Sequence, residues 1–461
     1  MTTDTSPVST GTDTADLRER IRAMMPAAQR ELAELVAFRS VADTQQYPAE
    51  ECTRAAAWVR DAFVGAGLTD AALHETPDGS TAVIARRPAP SGAPTVLLYC
   101  HYDVQPPLDE AAWATPPFEL TERDGRWYGR GAADCKGSAI AHLLAIRALG
   151  EGTDVGITVV AEGSEEQATG GLEAFVTQHP EELRADAILV CDTGNVALGE
   201  PTLTTSLRGA VDAVVTVSTL DGPMHSGMFG GPAPDAMTAL VKMLASLHDE
   251  DGNFTVSGLD STGSWPGMDY PTNRFRTDAG ILDGVSITGS GTVADHLWAR
   301  PALTIVGLDS PPVVGSAPAV QANARARLNL RIPPGVDPDA AYEALAQHLT
   351  AATPWNAQVN VQRTAAGPPF KAATSGPAYA TMSAAMRAAY AQEPTLQGQG
   401  GSIPLCTTLA RTYPDAEILL FGLCEPLCRI HAPNESVDPG EIERTALSEA
   451  VFLRDFTAAV R

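Results

Sequence analysis

The chain has 461 residues, 44% of them apolar, which is enough for two or three domains and a large core. Its 56 acidic residues against 31 basic ones leave a formal charge of -25, which argues against nucleic acid and anionic membranes as partners, because phosphate contacts need clustered Lys and Arg. No apolar run is long enough to span a bilayer, and a binder of anionic substrates would need a few deliberately placed cations.

Residues 1–15, MTTDTSPVSTGTDTA, are polar, with no basic and no apolar region, and read as a disordered tail and not a signal peptide. Asp16 is placed to cap a helix through LRERIRAMMPAAQRELAELVAF, which Pro26 should kink or split. A second helix is expected at ECTRAAAWVRDAFVGAGL. Then strand and helix patterns alternate: TVLLYC, GSAIAHLLAIRAL, GITVVA, GLEAFVTQH and DAILVCD, and far downstream YATMSAAMRAAYA and EILLFG. Such alternation predicts an α/β domain, a mostly parallel sheet covered by helices, over 16–207 and 371–461. Between these, over 208–370, GAVDAVVTVSTL and ARARLNLRIP alternate like half-buried strands. PDAMTALVKMLASLHD and AAYEALAQHLT read as helices, and 252–292 as loop with short elements. This predicts an inserted α+β domain with an antiparallel sheet. Seven scattered cysteines make no disulfide framework and point to a reducing, cytoplasmic setting.

In open parallel sheets ligands bind at the carboxyl ends of the strands. TVLLYC is followed by His101 and Asp103, GITVVA by Glu162, Glu165 and Glu166, and DAILVC by Asp192. EILLFG is followed, through a loop, by His431, and Asp134 precedes a helix in GRGAADCKG. Any one of these has a plain explanation, such as a turn cap or a solvated side chain. Five segments converging on one sheet edge suit a pair of zinc-like ions bound by imidazole and carboxylate. Two such ions usually share a bridging carboxylate and activate a water, whose proton a further carboxylate accepts. Of the neighbours Glu165 and Glu166, one can ligate metal while the other faces the water.

HYDVQP, GRGAADCKG, EGSEE, CDT and HAPNE, in that order, resemble the dinuclear-zinc metallopeptidases that include cytosolic dipeptidases, carnosinases, glutamate carboxypeptidase, aminoacylases and succinyl-diaminopimelate desuccinylase. The resemblance runs from about residue 20 to the end. It implies two divalent metal ions, zinc first and manganese or cobalt otherwise. His101 and Asp192 would bind one ion, His431 and Glu166 the other, and Asp134 would bridge them. It makes Glu165 the general base and Asp103 the residue that fixes the tautomer of His101. It also implies a cis peptide between Asp134 and Cys135. The inserted domain resembles the family's lid, which forms a homodimer. DGPMHSGMFGG matches the lid motif, and its His225 would stabilise the oxyanion in the neighbouring subunit. Arg331 matches the Arg that binds a substrate carboxylate, and Gly400, Gly401 and Ser402 match the Gly-rich substrate loop.

The run DHLWARPALTIVGL in the lid resembles the dipeptidase branch, as does HAPNE. One departure is that Gly398 and Gln399 stand where animal dipeptidases carry Arg-Glu. The resemblance thus implies metal-dependent hydrolysis of dipeptides or short peptides. The alternative is an N-acyl-amino-acid amidohydrolase with the same site.

Overall fold

The computed structural model describes residues 13–461. The tail expected over 1–15 lies outside the described residues as far as residue 12, while Thr14 and Ala15 already belong to a helix, α1 (Thr14–Ala37). Asp13, not Asp16, stands at its N-cap, and α1 runs through Pro26 without being split. Proline removes one backbone N–H, yet Leu17, Ile21, Ala28, Leu32, Leu35 and Val36 are buried on both sides of it. Packing of that apolar face outweighs the local preference of one residue.

The chain forms two compact units. The first comprises the chain up to Thr205 with Ala372–Leu396 and Thr408–Arg461; the second comprises Ser206–Lys371 with Gln397–Thr407. Residues 397–407, expected in the catalytic domain, thus group with the second unit.

In chain order the first unit continues with α2 (Ala49–Gly65), β1 (Asp70–Glu75), β2 (Thr81–Arg87), β3 (Thr95–His101), α3 (Lys136–Leu149), β4 (Gly156–Glu162), α4 (Gly171–Gln178), β5 (Ala187–Cys191) and β6 (Thr202–Leu207). The second unit holds β7 (Gly209–Ser218), α5 (Ala236–Ala245), β8 (Ala302–Asp309), β9 (Asn323–Ile332), α6 (Pro338–Ala351) and β10 (Gln358–Gly367). The chain returns with α7 (Pro377–Tyr390), β11 (Glu417–Phe421) and α8 (Pro439–Val460).

Seven of the first sheet's nine strands run in the order β1-β2-β4-β3-β5-β11-β6. The central four, β4-β3-β5-β11, are parallel, and β1, β2 and β6 pair antiparallel at the flanks. Every residue of β4 and β5 is buried, as expected of a parallel sheet with both faces covered. Helix α8 packs against α1, α3 and α7. In the second unit, β8-β9-β7-β10 form an antiparallel sheet. Val211, Ala213, Val215 and Val217 of β7 alternate with half-buried neighbours, and Leu240 and Met243 of α5 and Leu345 and Leu349 of α6 complete the same core. Asp235 and Asp337 cap α5 and α6 by accepting from Thr238 N (2.8 Å) and Ala340 N (2.9 Å). The stretch 252–292 is mostly loop, with one short helix at Thr272–Asp278.

Candidate active site

The carboxyl ends of the parallel strands carry the chemistry of the first unit. His101 is the last residue of β3, Glu162 the last of β4, and Asp192 follows β5 directly. Asp134 sits one residue before the N-cap of α3, joined to Cys135 by a cis peptide. Asp134 stands between two imidazoles: its Oδ1 lies 3.1 Å from His101 Nε2 and its Oδ2 3.1 Å from His431 Nε2. Asp192 Oδ1 lies 3.3 Å from His101 Nε2, and Glu166 Oε2 3.1 Å from His431 Nε2. The other nitrogen of His101, Nδ1, faces Asp103, 3.3 Å from its Oδ1 and 3.0 Å from its backbone oxygen.

With its Nδ1 proton given to Asp103, His101 turns a lone pair at Nε2 toward two carboxylates. A lone pair and two carboxylate oxygens repel unless a cation lies among them. Asp103, Asp134, Glu165, Glu166 and Asp192 gather here with two imidazoles, and among the described residues no Arg or Lys pairs with any of the five acids. Even two protonated imidazoles would leave three negative charges uncompensated. Burial works against charge on His101, yet the nearby Cys135, Asp192, Asp103 and Asp134 hold its pKa well above the usual imidazole range. His431 is pushed up to about 10 by its hydrogen bonds to Asp134 and Glu166. Burial, then the charge of Asp192, raises Glu165 well above an ordinary carboxylate. The donors are the hard and borderline ligands that divalent ions take, so the residues fit a metal. Cys135 also lies within reach of His101 and Asp192, but its thiol donates to Cys191 O at 3.2 Å and is so turned elsewhere.

Glu162 is 4% exposed and accepts from the Tyr99 hydroxyl at 2.8 Å. It is a buried structural acid beneath the cluster. Asp103 also receives the backbone N–H groups of Glu165 (3.2 Å) and Glu166 (3.1 Å), so one carboxylate both orients His101 and sets the turn of the glutamate pair.

The remaining candidates fall in the second unit. His225 is exposed, and its Nδ1 accepts from Gly227 N at 3.1 Å. Arg331, on β9, donates from Nη1 to Ser402 Oγ at 2.9 Å, which brings the predicted arginine onto the predicted loop with Gly400 and Gly401. The departure at Gly398 has a steric cause. A Cβ there would sit 2.6 Å from Trp298, in the Leu-Trp-Ala-Arg-Pro run.

The profile of Peptidase family M20/M25/M40 matches residues 97–454, a span that contains the Asp134 cluster. The chain belongs to this family. As a member of a family of metallopeptidases it is a hydrolase that uses divalent metal ions. The cysteinylglycine-S-conjugate dipeptidase of Corynebacterium striatum is 43% identical over 459 residues, covering 98% of this chain and 99% of that one. The Beta-Ala-His dipeptidase of Rattus norvegicus is 27% identical over 411 residues, covering 83% of this chain and 82% of its own. Among solved structures, the dipeptidase Dug1p from Saccharomyces cerevisiae aligns with a TM-score of 0.80 at 20% identity, over 97% of this chain and 99% of its own. Human carnosine dipeptidase 1 aligns with a TM-score of 0.81 at 23% identity, over 97% of this chain and all of its own. These two share the fold, a mostly parallel central sheet among helices.

Sequence reasoning missed the residues that hold the cluster of this M20 peptidase together. Glu435, fully buried, accepts from Arg130 Nη1 (2.6 Å), Gly131 N (3.0 Å), Ala133 N and Asp134 N (3.1 Å each), tying the loop of Asp134 to that of His431. Both partners lay inside quoted motifs, GRGAAD and HAPNE, but nothing in either predicts that they meet. In the second loop Arg429, His431 and Asn434 all have positive φ, a costly cluster for residues other than Gly. Gln105 donates to Glu166 Oε2 at 2.9 Å. Asp78, in the turn between β1 and β2, accepts from Ser164 Oγ (2.7 Å) and Thr169 Oγ1, anchoring the EGSEE turn.

Proposed function

We propose that this peptidase hydrolyses dipeptides at a dinuclear zinc centre, cysteinylglycine and its conjugates among them. The reading is carried by one observation: each oxygen of Asp134 addresses a different imidazole, as a bridging ligand does. His101 and Asp192 would hold one ion, His431 and Glu166 the other. When bound, the ions supply Lewis acidity that polarises the scissile carbonyl and eases deprotonation of a water. Glu165 takes that water's proton and returns it to the leaving amine. Asp103 holds His101 in the tautomer that leaves Nε2 free. Arg331 binds the substrate's C-terminal carboxylate, assisted by Ser402 and the backbone of Gly400 and Gly401. His225 steadies the oxyanion from the neighbouring subunit of a homodimer built through the inserted domain. The seven cysteines are free, which suits a cytoplasmic enzyme. No helix among the described residues is long and apolar enough to cross a membrane.

The choice of cysteinylglycine over β-alanylhistidine follows the higher identity to the relative named for it, 43% against 27%. The comparisons do not favour the deacylase alternative. The test is hydrolysis of alanylglycine beside N-acetyl-alanylglycine by zinc-loaded and chelated protein. Faster zinc-dependent cleavage of the free dipeptide is expected. Faster cleavage of the acetylated compound would make the protein a deacylase, and cleavage indifferent to the chelator would remove the metal from the reaction.

A further inference from the structure

The second unit contains a buried cation besides Arg331. Arg208 lies between β6 and β7, where LRG follows the end of the first sheet. It is 8% exposed. Its Nη1 makes a long hydrogen bond of 3.3 Å to His296 O, and its Nε is buried without a partner. Among the described residues no carboxylate pairs with it. Burial lowers its pKa to about 10, and the charged neighbour that lowers it further is another guanidinium, Arg331. A buried arginine is normally matched by an acid, because desolvating an unpaired charge costs several kcal/mol. Here two arginines are neighbours, and among the described residues neither pairs with an acid.

The loop that follows Gly398 links them. Arg208 N donates to Gln399 O at 3.1 Å. A Cβ on Gly400 would lie 2.8 Å from Arg208 Nη2, so the absent side chain leaves room at that nitrogen. Two residues on, Ser402 Oγ takes the hydrogen bond from Arg331 Nη1. Gln399 Oε1 is likewise buried with no partner. Arg208 also lines a cavity of about 230 Å³ with His248, Phe275, His296 and Leu303, so open space adjoins it. An unmatched donor on buried Arg208 and an unmatched acceptor on Gln399 call for a ligand that brings an anion and an N–H group.

We propose that Arg208 is a specificity-determining residue that joins Arg331 to form a two-guanidinium seat for the free carboxylate of a peptide or amino acid. The proposal rests on the dipeptidase reading for the identity of that carboxylate. A carboxylate offers two oxygens, so each guanidinium can take one, and a terminal amide or an extended peptide chain would leave Arg208 buried and unpaired. The enzyme then rejects substrates without a free C-terminus by leaving a charge unmatched, which discriminates more sharply than added bulk does.

The test compares alanylglycine with alanylglycinamide in the full-length, zinc-loaded wild-type protein and its Arg208→Met and Arg208→Lys variants. In Arg208→Met, KM for alanylglycine is expected to rise by about 30-fold or more with kcat little changed, because one partner of a buried charge pair is gone. The already poor kcat/KM for the amide should stay within about 3-fold, which narrows the wild-type preference. Arg208→Lys keeps the charge but loses the fork, and should fall between. Equal losses for both compounds would make Arg208 structural and overturn the proposal, as would an unchanged KM for alanylglycine. If Arg208→Met does not fold, Arg208→Lys alone decides by the same ratio. A second readout is independent of turnover: glycine, but not glycinamide, should raise the melting temperature of the wild type and raise it less in either variant. Wild-type protein that cleaves neither compound would sink the dipeptidase reading. The glycine shift would then still judge the carboxylate seat.

Discussion

Two groups of histidines and acids lie in the first unit, and both bring metal-ligating atoms within reach of one another. One is the cluster around Asp134. The other is His142 on α3 with Glu449 on α8 and Cys191 beside them, all buried. In the second group, both nitrogens of His142 face acceptors: Glu449 Oε2 at 2.9 Å and Tyr99 O at 3.1 Å. Doubly protonated, the ring donates to both and is a cation matched by the single acid Glu449. Burial opposes that charge, but Glu449 outweighs it, and the pKa of His142 lies well above the usual range. One cation therefore meets one anion and the group is closed. Around Asp134 the opposite holds. Nε2 of each imidazole faces two carboxylates, and among the described residues the acids outnumber the cations that face them. What sets the Asp134 cluster apart is uncompensated charge around its imidazoles, since the same residue types also build an ordinary buried ion pair.

The comparison breaks most visibly at Glu165. Glu165→Gln should lower kcat by about 10²- to 10⁴-fold while zinc per chain, read by elemental analysis, stays at the wild-type value. Loss of zinc together with activity would make Glu165 a ligand and not a base. Next in size is the metal itself. If the Asp134 cluster is held together by bound cations, saturating zinc at about a thousand times its dissociation constant adds about 4 kcal/mol to stability, and a chelator removes it. Thermal unfolding with and without chelator measures this. The increment should be the same in Glu449→Gln if the His142 group takes no metal.

Glu449→Gln tests the other side. It leaves a buried imidazolium without its anion, and should cost about 3 kcal/mol in denaturant unfolding with zinc content unchanged. The sign of its pH dependence follows from the raised pKa of His142. Stability from the pair is fully present below the unfolded histidine value near 6.5 and fades as pH rises through the folded value. The gap between wild type and Glu449→Gln should therefore narrow toward alkaline pH. A constant gap would mean that His142 is neutral in the folded protein.

The sequence exposes the Asp134 cluster because its residues follow apolar runs, and a strand end is a position that periodicity can locate. It also shows β3, β4, β5 and β11, whose apolar runs are continuous. Strands β1, β8 and β10 lie at sheet edges, where polar residues dilute the pattern, and β2 shows only a four-residue apolar run before two arginines, so all four went unseen. Asp16 as cap and Pro26 as break failed because packing of α1 overrides single-residue preferences. Arg208 and the Glu435–Arg130 tie could not be read at all. A buried arginine looks like a surface one until the fold shows what surrounds it, and a contact across 305 positions leaves no local trace.

The smallest expected effect lies where the two groups meet. The carbonyl of Tyr99 takes the Nε2 proton of His142, and its hydroxyl donates to Glu162 Oε2 at the end of β4. Tyr99→Phe keeps the first contact, since it is made by backbone, and removes only the second. Burial, with the charges of Glu173 and Asp103, pushes Glu162 well above the usual carboxylate range. Losing the one hydrogen bond that Tyr99 donates to it should cost about 1 kcal/mol, far less than stranding a charge. Unfolding in denaturant would measure that loss, and kcat/KM should stay within about 2-fold if Glu162 only supports the sheet. A tenfold fall in activity at unchanged stability would instead mean that the orientation of Glu162 reaches the metal ligands through the β4 end, and the two groups would then have to be treated as one.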